Sequence, residues 1–144
     1  SGYTGNRSEK ELEELALDPS KNFKTNDEQG IKERAIGLEL EEKGFLKNIE
    51  RDLNADGGAE FIEIDGTKWD VKSFVSYAPE SRSSRKGAFS IKNVMKKINR
   101  ELKKGYNVII DVTDLIPEHI IELKNKLLED GILDRIMWYP PYLN

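Results

Sequence analysis

The chain has 144 residues, 37% hydrophobic and 35% charged, which fits one globular domain large enough to bury a core. No apolar run approaches the roughly 18 residues that a membrane span requires, and the absence of cysteine excludes disulfides and thiolate metal sites. The net charge of −4 is uneven, because segment 82–104 has nine basic residues and one acid, a charge of +8, and the remainder carries −12. This asymmetry suggests a local contact with a polyanion, with a solvated helix face as the alternative interpretation.

The first 28 residues are polar, and only a short helix over 11–17 is expected within them. We therefore expect an N-terminal linker or arm (1–28) ahead of one folded domain (29–144). The chain begins Ser1-Gly2-Tyr3 without an initiator Met. That start suggests a fragment of a longer protein or a tag remnant, although Met removal alone leaves a similar start.

Hydrophobic spacing predicts a helix that begins near residue 26 and ends at Gly44, followed by a short strand over 45–49. The expected core face of that helix consists of Ile31, Ala35, Leu38 and Leu40. After a loop over 54–58, two strands (59–64 and 68–74) are joined at Asp65-Gly66, which is a strong hairpin signal.

The second half of the chain alternates helices and strands. A loop over 77–87, too long for a bare connector, precedes a helix over 91–105. The apolar run 106–112 fits a strand buried on both sides, and Pro117 begins a helix whose core face is Ile120, Leu123, Leu127 and Leu128. A last strand over 135–139 completes a mixed α/β fold, in which we expect a mixed sheet with flanking helices.

The hairpin AEFIEIDGTKWDVKSF (59–74) carries Glu60, Asp70 and Lys72 where a half-buried strand usually has Thr or Val. Asp70 and Lys72 are two residues apart, so they share a face of their strand. Glu60 joins that face if a three-residue loop, 65–67, pairs it with Lys72. A two-residue turn pairs Glu60 with Val71 instead and directs it to the other side. We predict the three-residue loop.

Two carboxylates on one face repel each other unless a cation lies between them, and such hard oxygen ligands suit Mg²⁺ or Mn²⁺. Lys72 beside them could orient a water molecule or stabilise charge that develops on a phosphate. The alternative interpretation is a solvent-exposed hairpin face with a cross-strand salt bridge.

The stretches Gly57-Gly58-Ala59-Glu60-Phe61 and Trp69-Asp70-Val71-Lys72 resemble the metal-binding hairpin of the PD-(D/E)xK nuclease superfamily. They are more closely similar to nuclease domains at the C-terminal ends of bacterial polymorphic toxins, such as contact-dependent growth inhibition and Rhs-type proteins. The chain departs from the family in having Ala59-Glu60 where Pro-Asp is usual. The spacing of Glu33, Ile36, Leu40 and Gly44 upstream and the stretches GYNVIIDVTDL and RIMWYP downstream extend the resemblance to roughly residues 30–140.

The resemblance implies a restriction-endonuclease-like core, α-β-β-β-α-β, with an added C-terminal α-β pair. It implies that Glu33, Glu60 and Asp70 hold one or two divalent cations, Mg²⁺ or Mn²⁺ with Zn²⁺ as a further candidate, and that Lys72 acts beside them. The basic residues after the catalytic strand would contact substrate phosphates: Arg82, Arg85, Lys86, Lys92, Lys96, Lys97 and Arg100.

The resemblance also implies an endonuclease toxin that is secreted or delivered at the cell surface as part of a larger protein. Such a toxin acts in the cytoplasm of a target bacterium and is neutralised by a cognate immunity protein. We expect tRNA as the substrate, with DNA as the alternative. A non-catalytic domain that binds nucleic acid or protein is a second hypothesis. An immunity protein is a third, against which the acids and lysine of the hairpin argue.

The remaining distinctive residues have structural interpretations. His119, the only histidine, begins an amphipathic helix without a partner histidine or cysteine. Trp69 and Trp138 are expected to pack in the core, and Asp114 to cap a turn. Three further residues, Glu39, Glu41 and Glu42, are expected to form a solvated helix face. The serines at 81, 83 and 84 have no nearby histidine that would activate them as nucleophiles.

Overall fold

The computed structural model describes residues 2–18, 28–54, 58–77 and 88–144. Within these ranges the helices and strands are α1 (Glu9–Leu15), α2 (Glu28–Glu42), β1 (Glu50–Arg51), β2 (Phe61–Ile62), β3 (Lys68–Val75), α3 (Ile91–Lys103), β4 (Asn107–Asp114), α4 (Pro117–Glu129) and β5 (Ile136–Tyr139). None of the helices found in these ranges has the length and apolar character to cross a membrane.

The five strands form one mixed sheet in the order β1-β2-β3-β4-β5. Strand β2 is antiparallel to both β1 and β3, whereas β4 and β5 are parallel. Contacts of β3 with β4 advance in the same direction along both strands, from Ser73 with Asp111 to Ser76 with Asp114. Helix α3 connects β3 to β4, and α4 connects β4 to β5. The predicted class, a mixed sheet combined with helices, is confirmed.

The chain divides into two compact units, Ser1–Asp70 and Val71–Asn144, and the boundary falls inside β3. In the first unit, α2 approaches Ile49 and Phe61 closely because position 37 is a glycine. A Cβ atom at Gly37 would lie 2.8 Å from both the Phe61 ring and Cδ1 of Ile49. Ile36 and Leu40 beside this contact are buried.

The predicted core face of α2 is correct at Leu40 and wrong at Ile31 and Ala35. Ile31 is 41% exposed and Ala35 is also exposed, while the buried stripe consists of Gly30, Glu33, Ile36, Gly37 and Leu40. The helix packs through two glycines, which a search for large apolar side chains does not identify. The stripe therefore places a glutamate, Glu33, on the buried side.

Residues 2–18 of the N-terminal segment belong to the first unit and contact α2 through Tyr3 and Arg7. Arg7 donates to both carboxylate oxygens of Glu41 at 2.7 Å, and the Tyr3 hydroxyl and the Ile49 N–H donate to the same carboxylate at 2.9 Å. Glu41 was expected on a solvated face, but its side chain is almost completely covered. Burial raises the pKa of Glu41, but the hydrogen bonds from Arg7, Ile49 and Tyr3 outweigh it and hold the pKa below its ordinary value.

The strand predicted over 45–49 is also displaced. Gly44, with a left-handed φ of 85°, ends α2. Leu46 and Ile49 are then buried in the connection, and the strand begins only at Glu50.

In the second unit the predicted elements are close to those observed. The core contains Ile98 of α3, Val108 and Ile110 of β4, and Leu123 and Leu127 of α4. Trp138 is buried there, as predicted, but Leu128 is 64% exposed and was wrongly assigned to the core.

Candidate functional site

Strand β3 carries the two best-placed site residues. Asp70 is 5% exposed, and its neighbours Trp69 and Val71 are also buried, as predicted for the tryptophan. Strand alternation puts Asp70 and Lys72 on the same face of β3. Oδ2 of Asp70 is buried and accepts no hydrogen bond from the described residues, although Asp70 makes other interactions with its surroundings.

The hairpin that leads into β3 has a register different from the one predicted. Phe61 pairs with Trp69 and Ile62 with Lys68, so the three-residue loop is 64–66 and Glu60 is not paired with Lys72. The Glu63 N–H donates to the Thr67 carbonyl at 2.8 Å, and Gly66 has the left-handed φ of 91° that such a loop requires. The predicted loop length is correct, and its position is wrong by one residue.

Glu60 lies at an irregular point of the hairpin. Its N–H donates to the Trp69 carbonyl at 3.0 Å, although Phe61 is the residue paired with Trp69. Two consecutive residues, Glu60 and Phe61, thus lie opposite the single residue Trp69, which is the pattern of a β-bulge. The Glu60 backbone therefore lies opposite Trp69, the residue before Asp70, and regular alternation does not set the direction of the Glu60 side chain.

Glu33 is buried on α2 and paired with Arg51 of β1. Nη1 and Nη2 of Arg51 lie 3.2 and 3.3 Å from Oε1 of Glu33, and the Gln29 amide donates to Oε2 at 3.2 Å. The Arg51 guanidinium also lies over the Phe61 ring, 5.8 Å from its centroid. The negative charge of Glu33 is thus already compensated by a protein cation.

Asp52, which sequence reasoning missed, holds the segment that precedes Glu60. Its buried carboxylate accepts hydrogen bonds from the N–H groups of Asn54 at 3.1 Å and Ala59 at 2.9 Å. The Asp52 N–H in turn donates to the Glu60 carbonyl at 3.0 Å. A Cβ at Gly58 would lie 2.9 Å from Oδ2 of Asp52 and 2.6 Å from the Asn54 carbonyl. Glycine is therefore required at position 58.

Glu101, the single acid of the basic segment, is a second residue that sequence reasoning missed. It is buried on α3, with Lys72 Nζ 3.4 Å from Oε2 and Lys104 Nζ 2.9 Å from Oε1. Burial raises the pKa of Glu101, but the Lys104 hydrogen bond and the charge of Lys72 outweigh it, so the pKa lies below its ordinary value. Glu101 therefore stays ionised near neutral pH and positions the Lys72 ammonium.

The basic residues of α3 lie opposite its buried face. Lys92, Lys96, Lys97 and Arg100 are all exposed, as a surface that contacts phosphates requires. The other three predicted phosphate-binding residues, Arg82, Arg85 and Lys86, lie outside the described residues.

A polar cluster joins the end of β3 to the beginning of α4. The buried Ser76 hydroxyl accepts from the Ile116 N–H at 2.7 Å and lies 2.8 Å from Nδ1 of His119. The His119 ring is stacked on Phe89, with 4.3 Å between ring centroids. His119 thus contacts Ser76 and Phe89 within the second unit.

Among the described residues, no group of three or more His, Asp or Glu side chains is arranged to hold a metal ion. Asp70 and Lys72 share a face of β3, the Glu60 backbone contacts Trp69, and Glu33 is paired with Arg51. Comparison with protein-family models, curated proteins and solved structures finds no match to this chain.

Proposed function

We propose that this chain is a metal-dependent nuclease that hydrolyses phosphodiester bonds of nucleic acids, built on the PD-(D/E)xK core that its sequence resembles. The observation that carries the proposal is a buried carboxylate, Asp70, on the same face of a strand as Lys72. A carboxylate and a lysine side by side on one strand face supply the metal ligand and the positive charge that metal-assisted phosphodiester hydrolysis uses.

The residues around Asp70 suit a hard divalent cation in part. The buried Oδ2 atom of Asp70 is the kind of oxygen that Mg²⁺ or Mn²⁺ coordinates. Mg²⁺ is commonly held by one or two carboxylates together with water and substrate phosphate, so Asp70 and Glu60 would suffice. Glu33 would remain in its ion pair with Arg51. When bound, the cation would polarise the phosphate and favour deprotonation of a coordinated water.

The other residues act through charge and position. Lys72, held by Glu101, places a positive charge on the face of β3 that carries Asp70 and stabilises negative charge that develops on the phosphate. The exposed cations of α3 attract the polyanionic substrate.

The test incubates the purified chain with tRNA and with plasmid DNA, in Mg²⁺ or Mn²⁺ and in EDTA. Wild type should cleave one substrate with metal and neither in EDTA, and Asp70→Asn and Lys72→Ala should be inactive. Asp134→Asn and Lys124→Ala are matched controls, because they remove the same charges at exposed positions outside α3. Cleavage that persists in EDTA, or full activity of Asp70→Asn, would contradict the proposal.

A second candidate is a non-catalytic nucleic-acid-binding domain. The pairing of Glu33 with Arg51 and the lack of a three-ligand metal group among the described residues favour it. This candidate predicts nucleic-acid binding that chelation does not change and no cleavage with any divalent metal.

The same resemblance supports the wider proposal of an interbacterial toxin that acts on tRNA, or alternatively on DNA. It would be delivered from a larger secreted or cell-surface protein into the target-cell cytoplasm. A cognate immunity protein would restrain it in the producing cell.

A further inference from the structure

A cleft of about 350 Å³ opens in the second unit between the end of β3 and helix α3. It is lined by the aromatic and polar side chains of Phe74, Phe89, Asn93, Lys96, Lys97 and Arg100. Lys92 and Lys103 lie on the same helix and do not line it. Only some of the basic side chains of α3 therefore line the cleft, namely Lys96, Lys97 and Arg100.

The lining of the cleft combines two chemistries. Phe74 and Phe89 are nearly buried, so they form an apolar floor, and the stacking of Phe89 on His119 fixes the plane of its ring. The three cations are exposed and stand at the rim. A flat apolar floor below a cationic rim is complementary to a ligand with a planar ring and a negative group.

The cleft lies on the same face of β3 as Lys72, the proposed catalytic lysine. Phe74 follows Lys72 by two residues, so the two side chains share a face of β3 about 6.6 Å apart along the strand. Helix α3 follows the same face, since Glu101 contacts Lys72 and the adjacent Arg100 lines the cleft. A single nucleic-acid strand bound along this face would extend from Lys72 into the cleft with its next nucleotide.

We propose that the cleft binds one unstacked nucleotide of the substrate strand, next to the phosphate at Lys72. Its base lies on Phe74 and Phe89, and its phosphate is held by Lys96, Lys97 and Arg100. This inference rests on the proposed nuclease function and specifies its substrate. The cleft favours single-stranded segments or loops, because the bases of a duplex are paired and stacked and do not reach the floor.

Binding of a fluorescently labelled single-stranded RNA and of its duplex is measured by anisotropy in EDTA, so that cleavage does not contribute. Lys97→Glu/Arg100→Glu is compared with Lys92→Glu/Lys103→Glu, which makes the same charge change on the same helix outside the cleft. The cleft variant should lose at least about tenfold more affinity for the single strand than the control, with a salt slope smaller by about 2. Equal losses in the two variants would overturn the proposal and assign binding to a diffuse charged face.

A second variant separates base stacking from charge. Phe89→Leu retains an apolar side chain but removes the ring. It should weaken single-stranded RNA binding by roughly 5- to 100-fold and leave binding of inorganic polyphosphate unchanged. Unchanged RNA binding, or an equal loss for polyphosphate, would overturn the stacking role.

The outcomes distinguish the two proposals. If the cleft variant binds like its control while Asp70→Asn abolishes metal-dependent cleavage, the nuclease stands and the cleft proposal fails. If the cleft variant loses binding but wild type cleaves nothing with Mg²⁺ or Mn²⁺, the nuclease assignment fails and the nucleotide site stands.

Discussion

The buried carboxylates of this protein have different partners, and the partners determine their roles. Glu33 faces the Arg51 guanidinium, and Glu101 faces two lysines. Asp70 also interacts with its surroundings, and its Oδ2 atom is buried without a hydrogen bond from the described residues. Binding of a cation at Glu33 would require displacement of the Arg51 guanidinium.

Arg51→Gln should destabilise the protein, because Glu33 would then be buried without a positive partner. The loss of a buried partner costs about 3–5 kcal/mol in the free energy of unfolding, measured by urea denaturation. The double variant Glu33→Gln/Arg51→Gln should recover much of this loss, since no uncompensated charge remains. A loss in the double variant as large as in Arg51→Gln would show that the charge of Glu33 is not responsible.

Asp70→Asn should abolish cleavage with little change in the stability of the protein. The amide retains the shape of the carboxylate and removes a buried negative charge, so the melting temperature should stay within a few degrees of wild type. Loss of a residue that only supports a metal ligand already costs roughly 10- to 100-fold in activity. Since Asp70 is proposed to be a ligand itself, activity should fall to less than about one-hundredth. A large drop in melting temperature would show that Asp70 is structural.

At the scale of elements, the packing of α2 depends on close contacts at glycine, and the hairpin of β2 and β3 contains one irregular pairing. Gly37 lets α2 approach Phe61, and the bulge at Glu60 interrupts the ladder between β2 and β3 next to Asp70. Bulges occur frequently beside functional sites because they redirect one side chain without ending the sheet.

Gly37→Ala should destabilise the first unit although alanine favours helices. The added methyl would lie 2.8 Å from the Phe61 ring, and such overpacking typically costs about 1–3 kcal/mol, more than the roughly 1 kcal/mol gained in helix propensity. Ala35→Gly, at an exposed position of α2, measures the propensity contribution alone in the same urea experiment. A Gly37→Ala protein more stable than wild type would contradict the close packing.

For the whole molecule, each unit contains a largely covered glutamate whose pKa is lowered, Glu41 in the first and Glu101 in the second. Burial raises each pKa, but the hydrogen bonds and cations around each carboxylate outweigh that effect. A lowered folded pKa means that the unfolded chain binds protons more readily. The stabilisation is therefore fully present above the unfolded value of 4.5 and is lost as the pH falls through the lower folded values.

The free energy of unfolding should therefore fall between about pH 5 and pH 3. Glu101→Gln should be less stable than wild type at neutral pH and should lose less on acidification. Glu129→Gln, at an exposed position of α4, is the control and should follow wild type. If the free energy of unfolding falls equally with pH in wild type and in Glu101→Gln, Glu101 does not contribute to the acid sensitivity.

Expression in a bacterial cytoplasm tests the proposed biological role. Wild type without an immunity gene should arrest growth, because metal and nucleic acid are both present there, whereas the Asp70→Asn protein should be tolerated. Healthy growth with a high yield of wild-type protein that cleaves nucleic acid in vitro would contradict the toxin proposal.

The sequence by itself determined the elements of the second unit and the placement of Asp70 beside Lys72. Helices α3 and α4 and strand β4 bury large apolar side chains at regular spacing, and that periodicity is a local property of the chain. Strand alternation is local as well, so two residues of one strand share a face in any fold that forms the strand.

Only the tertiary structure decided the face of α2, the hairpin register and the partners of the charged residues. The glycine contact that orients α2 has no hydrophobic signal, and the bulge at Glu60 depends on both strands. The pairs Glu33–Arg51, Lys72–Glu101 and Arg7–Glu41 join distant segments. In a chain that is 35% charged, many pairings satisfy the same Coulomb attraction, and only the packing of the backbone selects among them.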